Sequence, residues 1–194
     1  MTSHTARPFD ADGVLGLFEE LSVTLEARGV AAQLFVLGGA AMALAYDRGR
    51  VTRDVDALFT PAPQVRQAAE EVATRRGLEP DWLNDAAKGF LPGMDTQPLT
   101  VFESDWLIVQ VPSPEYLLAM KLFASREERD LADAAVLFAQ AGYTTIQDGI
   151  DLLVRSYPER LLLPRHRFIL QDVIQRATQH RQPPGGGETD PDGD

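Results

Sequence analysis

The chain has no cysteine, three histidines and two tryptophans in 194 residues. Without cysteine there is no disulfide, no thiol nucleophile and no cysteine-based zinc centre. His4, His166 and His180 are scattered and flanked by arginines or by the tail, so neither metal ligation by histidine nor a Ser-His-Asp triad has local support. All three read as surface residues. No apolar run approaches the ~20 residues that cross a bilayer, and the opening MTSHTARPFDADG lacks the apolar core of a secretion signal. The expectation is a cytoplasmic protein with no membrane partner. Positive charge is also scarce: the net charge is −11, which argues against broad nonspecific binding to nucleic acid because phosphates are repelled at long range. Glu188, Asp190, Asp192 and Asp194 supply four of those charges, and the remainder of the chain, at −7, is still acidic.

A hydrophobic share of 44% in 194 residues suits one ordinary core. The punctuation divides it. Val14, Leu17, Phe18, Leu21 and Leu25 recur at helical spacing and Gly29 follows, which predicts an opening amphipathic helix with a glycine stop. Pro61 and Pro63 precede a helix from about Gln64 to Arg76 that ends at Gly77. Val101-Phe102 and Trp106 to Val111 read as two strands joined by Glu103-Ser104-Asp105. Ser113-Pro114-Glu115 is a helix start, with a capping serine, a proline at the first helical position and an acid on the positive end of the dipole. Thr145 with Asp148 reads as a capping box, and Pro164 opens a last helix made basic by Arg165, Arg167, Arg176 and Arg181. No internal repeat is visible. Residues 1–112 are expected to form the core, 113–181 a helical part of the same domain, and 182–194 a disordered acidic tail.

The stretch from Leu34 to Phe59, LFVLGGAAMALAYDRGRVTRDVDALF, carries the chemistry. Leu34 to Leu37 reads as a short buried strand that stops at Gly38-Gly39, where no side chain blocks an approach to the backbone, and Ala40 to Ala45 reads as a helix. Strand, glycine turn and helix start present free amides to a phosphate. Asp54-Val55-Asp56-Ala57-Leu58-Phe59 has the composition of a strand, so Asp54 and Asp56 share a face and Val55 turns to the core. Two carboxylates on one face repel each other. A divalent cation reverses the sign: Mg²⁺ takes a few carboxylate oxygens, keeps waters and fills its shell from a substrate phosphate.

Leu37-Gly38-Gly39, the spacer Ala40 to Arg53 and Asp54-Val55-Asp56 together resemble the nucleotidyltransferase superfamily typified by DNA polymerase beta, and within it the AbiEii-like toxin branch. GGAAMAL with Thr52-Arg53-Asp54-Val55-Asp56 is similar to an uncharacterised bacterial group of these proteins. Pro80 to Asp85 with Lys88-Gly89-Phe90, and Ser113 to Leu122, extend the resemblance to about residues 30–168. It implies an α/β (α+β) nucleotidyltransferase fold, a small mixed sheet flanked by helices with a helical C-terminal part. It also implies Mg²⁺-dependent transfer of a nucleoside monophosphate from an NTP to an acceptor hydroxyl, with tRNA or another RNA as acceptor and a cognate antitoxin as partner. Two alternatives stay open: a nucleotide-binding or antitoxin-interacting module without catalysis, and an enzyme acting on a small-molecule hydroxyl, which the acidic charge favours over RNA.

On one continuous helix Lys121, Ser125, Arg129 and Asp133 fall four apart and form a polar stripe. The AbiEii-like resemblance places the lysine toward the nucleotide, where an ammonium neutralises phosphate charge. Lys121 is also an odd charge among Leu117, Leu118 and Leu122. The expected site is therefore Asp54 and Asp56 on metal, Gly38 and Gly39 on phosphate, and Arg48, Arg50, Arg53 or Lys121 on the remaining phosphate charge. Gly39 stands where many superfamily members have a serine, which leaves phosphate to the backbone. Many relatives also carry a third acid as metal ligand or general base; Glu103 is the first candidate here, with Asp105 and Asp95 behind it. Trp82 and Trp106 are read as core aromatics ahead of base-stacking ones.

Overall fold

The computed structural model describes residues 8–86, 91–124 and 128–181, with the side chains of residues 180 and 181 excepted. The Lys88-Gly89-Phe90 segment, Ser125, Arg126, Glu127, His4 and the tail from residue 182 lie outside the described residues. Among those described, five strands form one mixed sheet flanked by helices, the mixed α and β class expected.

The first helix, α1 (Ala11–Ala27), starts where Asp10 accepts the Gly13 amide at 2.8 Å and stops before Gly29, whose φ of +65° is left-handed. Its stripe Val14, Leu17, Phe18, Leu21 and Leu25 is buried. Strand β1 (Ala32–Val36) runs into α2 (Gly38–Ala41), which continues as a π-helical turn (Met42–Tyr46) where one straight helix was expected. Strand β2 (Val55–Thr60) and helix α3 (Ala62–Arg76, closed by Gly77 at φ +65°) follow. Next come β3 (Leu83–Asn84), β4 (Leu99–Glu103) and β5 (Leu107–Val111). The helices α4 (Pro114–Ala124), α5 (Glu128–Gln140), α6 (Ile146–Ser156) and α7 (Arg165–Arg181) complete the chain. Thr145 and Asp148 form the expected capping box on α6.

The strand order is β3-β2-β1-β5-β4. β1 pairs antiparallel with β2 and parallel with β5, and β5 pairs antiparallel with β4 as a hairpin. Alternation assigns the faces: Leu34 and Val36 of β1, Val55 and Ala57 of β2, and Leu107, Val109 and Val111 of β5 are buried on one side with α1 and α3. Phe9 and Thr52 add an isolated antiparallel bridge in which each amide donates to the other's carbonyl, at 2.7 and 2.9 Å.

One apolar cluster runs from Val14 of α1 through the sheet to Leu170, Val173 and Ala177 of α7. Leu117, Leu118, Ala119, Met120 and Leu122 of α4 are all buried, so this helix is apolar nearly all round. Trp82 is 2% exposed and its indole N–H donates to the Ala69 carbonyl, which makes it a core residue. Among the described residues no helix is long and apolar enough to cross a membrane.

Candidate active site

The glycine turn and the carboxylate strand are pressed together. The Leu37 amide donates to the Asp56 carbonyl at 2.7 Å, which closes the β1–β2 ladder at its last rung. The chain then turns through Gly38 at φ +59°, a conformation that only glycine adopts without strain. A Cβ at Gly38 would stand 3.2 Å from Asp56 Oδ2, and one at Gly39 would stand 3.0 Å from Thr52 Oγ1. The turn therefore lies close against the carboxylate, where only glycine fits, and the first amides of α2 have no partner within the helix.

Asp54 lies one residue before β2 and is exposed, whereas Asp56 is half-buried within the strand. Burial, and then the negative charge of Asp54, push the Asp56 carboxyl above its ordinary pKa; a hydrogen bond from Asn84 and the positive charge of Lys121 act the other way. The two acids thus interact, Val55 between them is fully buried as expected, and Lys121 lies within electrostatic reach. Thr52, 7% exposed, donates its hydroxyl to the Asp54 carbonyl at 2.9 Å while its side chain abuts Gly39. Arg53 is exposed on the bend ahead of β2.

Lys121 belongs to a second cluster. Its Nζ donates to Asp130 Oδ1 and Asp133 Oδ2, both at 2.8 Å, and Arg50 Nη2 donates to the same Asp133 oxygen at 3.0 Å. The Lys121 and Asp133 side chains are 11% and 5% exposed. Two cations and two anions are therefore matched, with Asp130 at the half-exposed edge of the group, and Arg50 Nε is buried and unpartnered among the described residues. The expected stripe on one continuous helix does not form. α4 ends at Ala124 and α5 begins at Glu128, so Asp130 and Asp133 reach Lys121 across a helix pair rather than along one helix, and Arg129 is exposed. Arg50, expected near phosphate, is instead committed to Asp133.

Glu103 does not join the carboxylate pair. It sits in β4 at the opposite edge of the sheet from β2 and β3, and its row runs through Ile108 and Gln33 to Thr60, the far end of β2. Three strand spacings and four residues of rise put it about 19 Å from Asp56. The sequence suggested proximity because the acid follows a strand, but pairing order is non-local, and the parallel β1–β5 contact sends the hairpin outward. Asp105, in the hairpin link, is exposed at the same far end. Asp95 lies nearer the start of α4, where it is spent on structure: it accepts the Ser113 amide at 2.7 Å, the Ser113 hydroxyl at 3.0 Å and the Gln97 amide at 3.0 Å. Among the described residues no three of His, Cys, Asp or Glu converge as a metal-binding group.

His166 is buried rather than on the surface. Its Nδ1 accepts the Leu163 amide at 2.9 Å, its ring stacks on Phe123, and burial followed by the charge of Arg165 lowers its pKa. Nothing in the sequence marks Asn84 as a neighbour of Asp56: it enters through a strand of only two residues, paired in parallel at Asp56. Asp133 was visible as a member of the polar stripe with Lys121, although its ion pair with Arg50 could not be read from spacing. Comparison of the chain with family models, with curated proteins and with solved structures finds no match in any of the three, so the chemistry of this cleft rests on its own residues.

Proposed function

We propose that the cleft between the Gly38-Gly39 turn and the Asp54/Asp56 pair performs Mg²⁺-dependent nucleotidyl transfer from an NTP to an acceptor hydroxyl. The observation that carries this reading is the approach of Gly38 to Asp56, where a mere Cβ would stand 3.2 Å from Oδ2, with Lys121 within electrostatic reach. Two repelling carboxylates, one of them partly desolvated, suit Mg²⁺, which needs one or two protein oxygens and takes the rest from water and phosphate. Bound there, the ion would supply charge neutralisation for a triphosphate.

The chain's own residues divide the remaining work. Gly38 and Gly39 admit phosphate to the backbone amides, Lys121 offsets its charge, and exposed Arg53 offers a second cation at the mouth. Asn84 orients Asp56. Asp130 and Asp133 hold the Lys121 ammonium and act as positioning residues. In the transfer, the acceptor oxygen bonds to the α-phosphorus, the bond from that phosphorus to the β-phosphate bridging oxygen breaks, and pyrophosphate leaves. The hydroxyl proton passes to water or to a carboxylate of the pair. Membership of the polymerase beta-like superfamily, and of its AbiEii-like branch with a cognate antitoxin, is part of the proposal through the motifs that resemble it; RNA and a small-molecule hydroxyl are the two acceptor classes it admits.

Purified protein incubated with each α-labelled NTP, Mg²⁺ and either total RNA or a small-molecule extract tests the reading. Labelled product and pyrophosphate should form with the parent and not with Asp54→Asn or Asp56→Asn. Neither Mg²⁺ nor Mg-ATP raising Tm would overturn it. A second reading, nucleotide binding without catalysis, is favoured by the distant placement of Glu103. It predicts Mg-ATP binding with no pyrophosphate release.

A further inference from the structure

The sheet has a packed face and an open one. On the open face Asp56 is followed at alternate positions by Leu58 and Thr60, and β1 contributes Gln33 and Phe35. Leu58 pairs with Phe35, Phe35 with Gln110, and Gln110 with Thr100, a row that crosses four strands two residues beyond Asp56. One step along a strand by two residues is about 6.6 Å, so this row begins within a small molecule's length of the carboxylate pair. None of these side chains is buried: Phe35, Leu58 and Gln110 are half-exposed and Gln33, Thr60 and Thr100 exposed. Phe35 is held by the edge of Tyr116, with centroids 5.8 Å apart at 82°. Gln33, Phe35, Leu58, Thr60 and Gln110 line a groove of about 220 Å³.

We infer that this groove is the acceptor subsite and takes a small hydroxylated ring compound without phosphate, not RNA. The inference rests on the transfer reading above. A ring face can lie on Phe35 and Leu58, while amides and hydroxyls, each able to donate and accept, match the hydroxyls at its edge. The groove is smaller than the ~300 Å³ at which drug-sized pockets begin. Charge decides between ligand classes. RNA is held chiefly through phosphates by lysine and arginine, and across these six residues there is no cation, while Asp56 bounds the row at one end and Glu103 lies at the far corner of the same face. Phosphate-bearing acceptors find no counter-charge there; neutral and cationic ones need none.

The full chain, isotope-labelled and saturated with Mg-ATP, is titrated by NMR with glucose, glucosamine, inositol and uridine, and separately with glucose 6-phosphate, UMP and a 12-nucleotide RNA. Uridine and at least one sugar should shift Phe35, Leu58 and Gln110 more strongly than their phosphorylated counterparts. Gln110→Leu should weaken that binding roughly tenfold through loss of hydrogen bonds and leave the Mg-ATP affinity unchanged. Equal or stronger shifts with UMP, glucose 6-phosphate or RNA overturn the inference, as does the absence of any shift from the neutral and cationic rings. Mg-ATP itself shifting these three residues also overturns it, since the groove would then belong to the nucleotide. If Mg-ATP fails to shift Gly38, Asp54 and Asp56, the transfer reading falls and the acceptor assignment with it; intact Mg-ATP shifts with an unresponsive groove sink the inference alone.

Discussion

Two groups of charges meet at the mouth of this cleft and are built on opposite lines. Lys121, Arg50, Asp130 and Asp133 balance one another in the interior, each cation on a carboxylate at 2.8–3.0 Å. Asp54 and Asp56 are a like-charged pair in which the second acid resists ionisation. The first arrangement is complete as it stands. The second carries unbalanced negative charge, the place the proposal gives to Mg²⁺, and Lys121 of the balanced group lies within its electrostatic reach.

The largest effect should come from removing the imbalance. Asp56→Asn should lower transfer by roughly 10²–10³-fold, as for the loss of transition-state charge stabilisation, yet leave the metal-free protein folded and slightly more stable at neutral pH. The sign follows from the raised pKa. The folded state favours the protonated carboxyl, so the Asp56 contribution to stability is fully present below its unfolded pKa and is lost as pH rises through the raised one. Thermal melts from pH 4 to pH 8 should show that loss in the parent without metal, and a flatter profile in Asp56→Asn.

Breaking the balanced group should act on stability instead. Asp133→Asn leaves Lys121 and Arg50 short of charge in the interior and should cost about 3 kcal/mol in urea denaturation. A loss below ~1 kcal/mol would mean that water already shares these charges. Lys121→Met is the sharper probe because the residue belongs to both groups: Mg-ATP affinity should fall roughly tenfold in calorimetry while Mg²⁺ affinity is retained. Unchanged nucleotide affinity would return Lys121 to the packing of α4. At the small end, Glu103→Gln should change the transfer rate less than twofold, given its place at the opposite edge and end of the sheet. A large loss would mean that the strand order misleads about the third acid.

What was legible in the sequence was local. Gly29, Gly77 and the Thr145–Asp148 box act on neighbours within a turn, and the Gly38-Gly39 turn and the Asp-x-Asp alternation need only one strand each to be read. Glu103 failed because its position depends on which strands pair, and the β1–β5 contact joins residues more than seventy apart. Asn84 failed because two residues carry no periodicity. The Lys121 stripe failed because spacing of four presumes an unbroken helix, while α4 and α5 are separate and packed on one another. His166 was misjudged because flanking arginines suggested solvent, whereas α7 turns that one position inward among Leu170, Val173 and Ala177.

Thr52 leads beyond chemistry to time. Its amide is bonded to Phe9, its carbonyl receives the Phe9 amide, and its hydroxyl reaches the Asp54 carbonyl. The loop that carries the acids cannot lift away from the segment ahead of α1 without breaking the two bonds to Phe9. Deuterium uptake at the Thr52 amide is thus an internal clock for opening of the cleft. Its rate in the resting protein gives the pace at which, on the proposed function, a nucleotide could be admitted or a product let go.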